Sequence, residues 1–303
     1  MKFDLVITNP PFQDTSNRGK TPHKLWIDFT KMSFSKLLFA GGFLHQVSPA
    51  SFQSPSNKVL DIFKKYLVCY VDFRTSSFFP EVGSSFSHYL IQNKLDSHEE
   101  TNFFTTKGEL RFVLNDECFY LPNDLSPEAL SIHKKVIFQS KEKLPVQFDY
   151  VTCHNIIIHK NTTLSKNKTD THIHPIFHTN KQIWYSSIRQ EFASKKKVMW
   201  TRSGYCKPFF DNGILGGTDM VYFVECKSKK EGLALEKQMN SILMNYIYVT
   251  AKWSGFGNEK VFLALPLIPQ EFTEDAEIFS FFKLTAREVD YVKKFMGRGR
   301  KED

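Results

Sequence analysis

The chain has 303 residues and a mass of 35.3 kDa, room for two domains at about 150 residues each. Hydrophobic residues make up 41% and charged residues 24%, with mean hydropathy −0.33, and thirty Phe, eleven Tyr and four Trp supply core material; a mainly disordered chain is excluded. Forty Lys and Arg against 32 Asp and Glu leave +8 and a pI near 9.1, a balance that fits a polyanionic partner without naming one.

No apolar run approaches the roughly 18 residues needed to cross a bilayer, and MKFDLVITNPPF lacks the order of a signal peptide. The five cysteines (Cys69, Cys118, Cys153, Cys206, Cys226) are widely spaced with no CxxC, which predicts reduced thiols, a cytoplasmic setting and no membrane partner.

FDLVIT (3–8) predicts a short buried strand, stopped at once by Asn9-Pro10-Pro11, because proline cannot donate to a sheet ladder. A Ser/Thr/Gly/Lys-rich loop runs from Asp14 to Lys24. Apolar residues near helical spacing predict a helix from Trp26 to Phe39, with Gly41-Gly42 as its stop. A strand is predicted over Phe43–Val47 and a helix over Ser56–Tyr66, capped by Ser56 or Asn57. Strands over Leu67–Phe73 and Phe86–Gln92 follow. This alternation predicts a layered α/β sheet with right-handed crossovers.

Beyond residue 95, Thr101–Leu114 alternates like a hairpin, and Ser126-Pro127-Glu128 opens a helix running to about Gln139. From Phe148 short Phe, Tyr, Val and Ile runs alternate with polar loops, interrupted by one helix predicted from about Lys230 to Thr250. The segment near 141–143, ending at Pro145, reads as a linker. The expected organisation is 1–115, a helical linker over 116–147, and 148–303.

Asn9-Pro10-Pro11-Phe12 carries the chemistry. At the carboxyl end of a strand such a turn faces the crevice in which α/β proteins bind ligands. The Asn9 side-chain oxygen and the Pro10 carbonyl are two acceptors at angles that proline stiffens, with Pro11 keeping the turn rigid. Two acceptors on one amino group engage both its hydrogens. A ring-conjugated nitrogen held this way becomes more tetrahedral and aims its lone pair at an electrophile, with no charged base required. Phe12 can stack on a planar substrate.

This turn resembles motif IV, [DNS]-P-P-[YFW], of the amino-methyltransferases that use S-adenosylmethionine, and within them the gamma-order adenine-N6 DNA methyltransferases of the Eco57I and TaqI types. Leu38-Phe39-Ala40-Gly41-Gly42 with Phe43 to Phe52 is similar to the family's LKPGG…VPNSFL segment. FFPEVGSSFSHYLIQNK (78–94) resembles its later motif, which by that resemblance makes Phe79 the second face stacking on a flipped adenine. Gly216 to Phe223, the following helix, Ser254-Gly255-Phe256-Gly257-Asn258, Leu265 to Pro269 and Phe282-Lys283-Leu284-Thr285 resemble its target-recognition domain. The likeness spans most of residues 3–295, with its specific motifs in the first ninety or so.

The resemblance implies a partial Rossmann-like methyltransferase sheet plus a mixed α/β recognition domain, S-adenosylmethionine as cofactor and double-stranded DNA as partner. Arg202, Lys207, Trp253, Asn258 and Lys260 are the candidate DNA-facing residues. The chain departs from the family pattern in starting at the motif IV strand. No GxGxxG occurs, and half a parallel sheet would expose an apolar edge. Three expectations follow: a second chain supplies the cofactor-binding half, the gene is a remnant, or the chain is a DNA-binding relic that no longer methylates.

Other patterns are weaker. His154, His159, His172, His174 and His178 match no zinc spacing and read as a polar loop. Asp219 with Glu225-Cys226-Lys227 superficially resembles a Mg²⁺-dependent nuclease pattern, a short and common one. Lys195-Lys196-Lys197 reads as a solvated run, with phosphate contact as the alternative. Cytosine-C5 methylation is excluded, since it needs a Pro-Cys nucleophile turn and no Pro-Cys dipeptide occurs.

Overall fold

A computed structural model describes residues 2–14, 24–55, 57–78, 85–95, 99–153, 163–179, 182–202, 207–252 and 259–298. The chain divides into two compact units, Met1–Ser131 and Ile132–Asp303. Among the described residues no helix is long and apolar enough to cross a membrane.

The first unit contains β1 (Phe3–Thr8), α1 (Leu25–Met32), β2 (Leu38–Pro49), α2 (Val59–Lys65), β3 (Tyr66–Asp72), β4 (Phe86–Leu95), β5 (Glu100–Thr105) and β6 (Gly108–Val113). They build a six-stranded sheet in the order β1-β2-β4-β3-β5-β6. β1 with β2 and β3 with β5 are parallel; β4 runs antiparallel to both β2 and β3. The predicted hairpin over 101–114 is β5–β6. The fold is thus α/β as expected, with a mixed sheet.

Both helices cover one face. Gln46 and Tyr89 face each other across β2 and β4. The α1 residue Thr30 receives the Gln46 amide at 2.9 Å and lies 3.4 Å from the Tyr89 hydroxyl, while the α2 residue Phe63 packs on the Tyr89 ring at 4.8 Å. Leu44, Ser48, Val68, Val71, Ile91 and Phe103 are buried there, at 0–2% exposure. α2 starts where the Asn57 side chain accepts the Val59 N–H at 2.9 Å; Ser56, the other predicted cap, lies outside the described residues.

Two expectations are corrected here. FDLVIT forms its strand, but as an edge strand rather than a buried one: Phe3, Leu5 and Ile7 are 37%, 51% and 70% exposed. Gly41-Gly42 do not stop a helix. α1 ends in a single π-turn over Ser33–Leu37, and both glycines lie inside β2. There the pairing jumps from Phe3↔Leu38 to Leu5↔Phe43, a bulge in which Gly41 takes φ +81°. A Cβ on Gly42 would meet the Asp4 carbonyl oxygen at 3.0 Å, so glycine permits the close approach of β2 to β1.

Pro127 opens α3 (Pro127–His133), with the Ser126 hydroxyl accepting the Ala129 N–H at 3.1 Å. The second unit then places β7 (Gln147–Phe148), β8 (Leu164–Ser165), β9 (His174–Phe177), β10 (Ile183–Ser186), β11 (Lys196–Thr201), β12 (Phe209–Asn212), β13 (Gly216–Gly217) and β14 (Val221–Glu225) in two four-stranded sheets, β13-β9-β10-β8 and β12-β11-β14-β7. β14 is buried on both its faces. Val221 and Phe223 join Phe177, Phe192 and Met199, while Tyr222 packs on Phe148 and Phe262.

The single helix predicted over 230–250 is two, α4 (Lys229–Met239) and α5 (Ile242–Thr250). Ser241 breaks the run by accepting the Met244 N–H at 3.3 Å as a new N-cap. α6 (Glu259–Phe262), α7 (Asp275–Phe281) and α8 (Ala286–Arg298) complete the unit. Thr285 starts α8 through a reciprocal box, its N–H donating to Glu288 at 2.6 Å and its hydroxyl accepting the Glu288 N–H at 3.3 Å.

Candidate functional site: the turn after the edge strand

The β1–β2 ladder ends at Thr8↔Gln46. After Asn9 come two prolines, which have no N–H with which to carry the ladder further. Pro10 is buried, Asn9 and Pro11 are exposed, and Phe12 is half-buried. The Phe12 ring rests on Phe86 at 5.4 Å, tilted 34°. Phe86 pairs with Pro49, the last residue of β2, so the turn sits at the carboxyl ends of two parallel strands. The Asn9 side chain is exposed and has no hydrogen-bond partner among the described residues.

β3 ends on the same rim, because β2 and β3 both run antiparallel to β4. A 3-10 turn over Arg74–Phe78 follows. Ser76 ties it to Phe86, its hydroxyl accepting the Phe86 N–H at 2.7 Å and donating to the Phe86 carbonyl at 3.2 Å. Arg74 forks onto Asp72 at 2.7–3.2 Å and lies over the Phe104 ring. Burial pushes the Asp72 carboxyl up, but the Arg74 hydrogen bonds outweigh it and hold the group below the ordinary carboxylate range. Phe86 is therefore the shared anchor: Phe12 packs on its ring and Ser76 clamps its backbone. Phe78, at the end of the turn, is 77% exposed. Phe79, the residue assigned to stacking, lies outside the described residues. Ser76, Arg74 and Asp72 carried no signal in the sequence, since their roles arise from pairing across β4.

The other candidates fall in the second unit. Arg202, directly after β11, is half-buried, its guanidinium 5.4 Å from the centre of the Tyr150 ring. Lys207 and Lys260 are exposed, and Trp253 and Asn258 lie outside the described residues. Lys197 corrects the reading of 195–197 as a solvated run. Its ammonium is fully buried and donates to Asp211 at 2.6 Å, whereas Lys195 pairs on the surface with Glu225 at 3.2 Å. β11 is buried on both faces from Lys197 onward, and Asp211 lies directly opposite Lys197 on β12.

Of the 40 Lys and Arg, 27 lie in Ile132–Asp303 against 18 of the 32 Asp and Glu. That unit holds +9, and Met1–Ser131, with 13 against 14, holds −1. Among the described residues no group of three or more His, Cys, Asp or Glu could hold a metal. His172 bonds to the Thr169 and Thr171 hydroxyls, His178 stacks on Trp184 at 3.9 Å, and His154 and His159 lie outside the described residues. A cavity of about 280 Å³ is lined by His174, Arg189 and Ile214, and one of about 690 Å³ by Lys135, Lys141 and Phe282; neither borders Asn9.

No family model matches the chain, and no curated protein matches it in sequence. Among solved structures it is similar to the Type IIL restriction-modification enzyme MmeI in complex with DNA, at 7% identity and TM-score 0.39 over 96% of this chain and 56% of that one. It is similar to the type IIG restriction endonuclease BpuSI at 9% identity and TM-score 0.35, over 96% and 49%. The ATP-dependent Type ISP restriction-modification enzyme LlaBIII bound to DNA gives 7% identity and TM-score 0.39, over 95% and 29%. The chain spans about half of the first two proteins and less than a third of the last.

Proposed function

We propose that Asn9-Pro10-Pro11-Phe12 is the amino-group clamp of an adenine-N6 DNA methyltransferase of the restriction-modification type, with S-adenosylmethionine as methyl donor and duplex DNA held by Ile132–Asp303. The observation that carries the reading is the exposed Asn9 amide at the carboxyl-end rim, which has no hydrogen-bond partner among the described residues, beside the half-buried ring of Phe12. In this role Asn9 and the Pro10 carbonyl accept the two N6 hydrogens of a flipped adenine, Pro11 stiffens the corner, and Phe12 and Phe79 stack on the ring. The +9 of the second unit supports a duplex partner, with Arg202, Lys207, Trp253, Asn258 and Lys260 as its contacts.

The described residues do not fit a pocket for S-adenosylmethionine. Such a site needs a glycine turn at the carboxyl end of a strand beside the clamp. Of the glycines described in the first unit, Gly41 and Gly42 lie inside β2 and Gly108 lies at the β5–β6 turn. That mismatch favours a second reading, a DNA-binding chain that does not methylate by itself.

Long-read sequencing of DNA from cells carrying the protein detects N6-methyladenine directly. Exchange of the wild type for Asn9→Ala is expected to reduce methylation at one sequence motif by about 10²-fold or more, with the DNA affinity of the purified chain unchanged. Undiminished methylation would refute the role of Asn9. Absence of any modified motif with the wild type favours the second reading.

A further inference from the structure

Two loops of the second unit are gripped by buried polar groups and yet carry exposed tips. The first follows β10. Gln190 is 5% exposed; its amide accepts the Gly217 N–H at 2.8 Å and donates to the Gly217 carbonyl and to Asp149, both at 2.9 Å. That grip fixes the backbone at Ile188 and Arg189, directly before it. The second loop follows β12. Asp211, held by the buried Lys197, accepts the N–H groups of Gly213, Ile214 and Leu215 and so fixes Ile214. Glycines let these parts close up. A Cβ on Gly216 would strike the Gln190 amide oxygen, and one on Gly213, at φ +87°, the Ser194 carbonyl. Between the tips lies the hollow of about 280 Å³ that His174 also lines.

The tips present two kinds of group. Ile188 and Ile214 are 47% and 64% exposed. Arg189 between them is exposed, and its guanidinium has no hydrogen bond or ion pair among the described residues. Burying an amide and an ion pair is costly unless they are well bonded. Here such groups hold a surface that folding itself leaves bare. A backbone ordered before binding loses less freedom on binding, so the arrangement suits recognition.

The unit carries +9, which favours a polyanion. A phosphate would satisfy the arginine and leave the isoleucines against water. The major-groove edge of DNA satisfies both. Guanine O6 and N7 accept the two N–H groups of a guanidinium fork, and the thymine C5-methyl meets aliphatic carbon. We propose that Arg189 reads a guanine and that Ile188 and Ile214 contact the methyl of an adjoining thymine, so that these two loops set part of the sequence the chain selects. The assignment rests on the duplex partner proposed above and is independent of methylation.

The test selects duplexes from a random pool with the purified full chain and sequences those retained. The wild type is expected to enrich a motif with a guanine next to a thymine. Arg189→Ala is expected to lose the preference for that guanine by about 5–150-fold and to keep the other positions. Deoxyuridine in place of the thymine removes one methyl. It is expected to weaken the wild type about 4-fold and to leave the double variant Ile188→Ala, Ile214→Ala unaffected. The changed side chains are exposed, so both variants keep the melting midpoint of the chain; a large drop would place the tips in a core and overturn the proposal. Arg189→Ala binding that weakens alike on every duplex, with a salt slope lower by about 1, marks a phosphate contact and overturns it. So do an unchanged motif, indifference of the wild type to deoxyuridine, or a wild type that binds duplexes without selecting any. A wild type that binds no duplex refutes the duplex partner as well. A motif read through Arg189 on DNA that stays unmethylated in cells refutes the methylation reading and leaves the readout standing.

Discussion

The buried pair Lys197–Asp211 makes the sharpest claim on stability. The Lys197 ammonium has no exposure and donates to Asp211 at 2.6 Å, to the Lys195 carbonyl at 3.0 Å and to the Ala193 carbonyl at 3.2 Å. Asp211 in turn accepts the N–H groups of Gly213, Ile214 and Leu215 at 3.1–3.2 Å. The two halves are therefore unequal. Asp211→Ala strands a buried cation and three backbone donors, costing about 3–5 kcal/mol. Lys197→Met leaves a carboxylate still bonded to three N–H groups, costing about 1–3 kcal/mol. In a unit of this size the Asp211 change lowers the melting midpoint by about 6–20 °C. The double variant is expected to cost less than the sum of the singles by at least about 1 kcal/mol, because no charge is left stranded. Urea unfolding followed by tryptophan fluorescence, with buried Trp200 in the same strand as reporter, measures all three. Additive effects, or a loss under about 1 kcal/mol for Asp211→Ala, would mean that the pair is solvated and the reasoning wrong.

His133 makes stability depend on acid. Its ring is buried against the Thr250 hydroxyl at 2.8 Å, and burial holds its pKa at about 3 against an ordinary 6.5. The unfolded chain takes up a proton below pH 6.5 that the folded ring refuses, so stability is complete above that pH and falls as pH drops. Between pH 6.5 and 5 this group removes about 2 kcal/mol; His133→Gln should flatten that part of the profile, and an unchanged acid slope would refute it. Gly42→Ala drives a methyl into the Asp4 and Phe3 carbonyls. It should cost about 1–3 kcal/mol and speed amide exchange at Leu5–Thr8, whereas unaltered exchange would mean that the β1–β2 approach is not tight. DNA affinity of the chain should fall steeply with salt, and Lys207→Ala should lower the slope of log K against log salt by about 1. A slope unchanged by the substitution removes Lys207 from the interface.

The elements of the first unit were readable because their signals are local. Proline at positions 10 and 11 ends β1 by lacking an N–H, whatever surrounds it. The alternation over 101–114 marks a hairpin, and Ser126 caps its helix through a bond spanning only three residues. Gly41-Gly42 misled because a glycine pair permits a helix stop and a bulge equally; which occurs depends on β1, more than thirty residues upstream. The 229–250 run looked continuous because apolar spacing persists across Ser241, whose hydroxyl reads as a cap only once the chain bends there.

Residue types and local order were thus settled by the amino acids themselves: the α/β class, the proline-stiffened corner and the net basic charge of +8 all follow from composition and short-range sterics. Burial was decided by the tertiary structure, because it depends on partners far away in the chain. The same apolar alternation that makes FDLVIT a strand cannot say whether a neighbour lies on both its sides, and a lysine in a run of three becomes a core residue only when Asp211 comes to face it across a ladder.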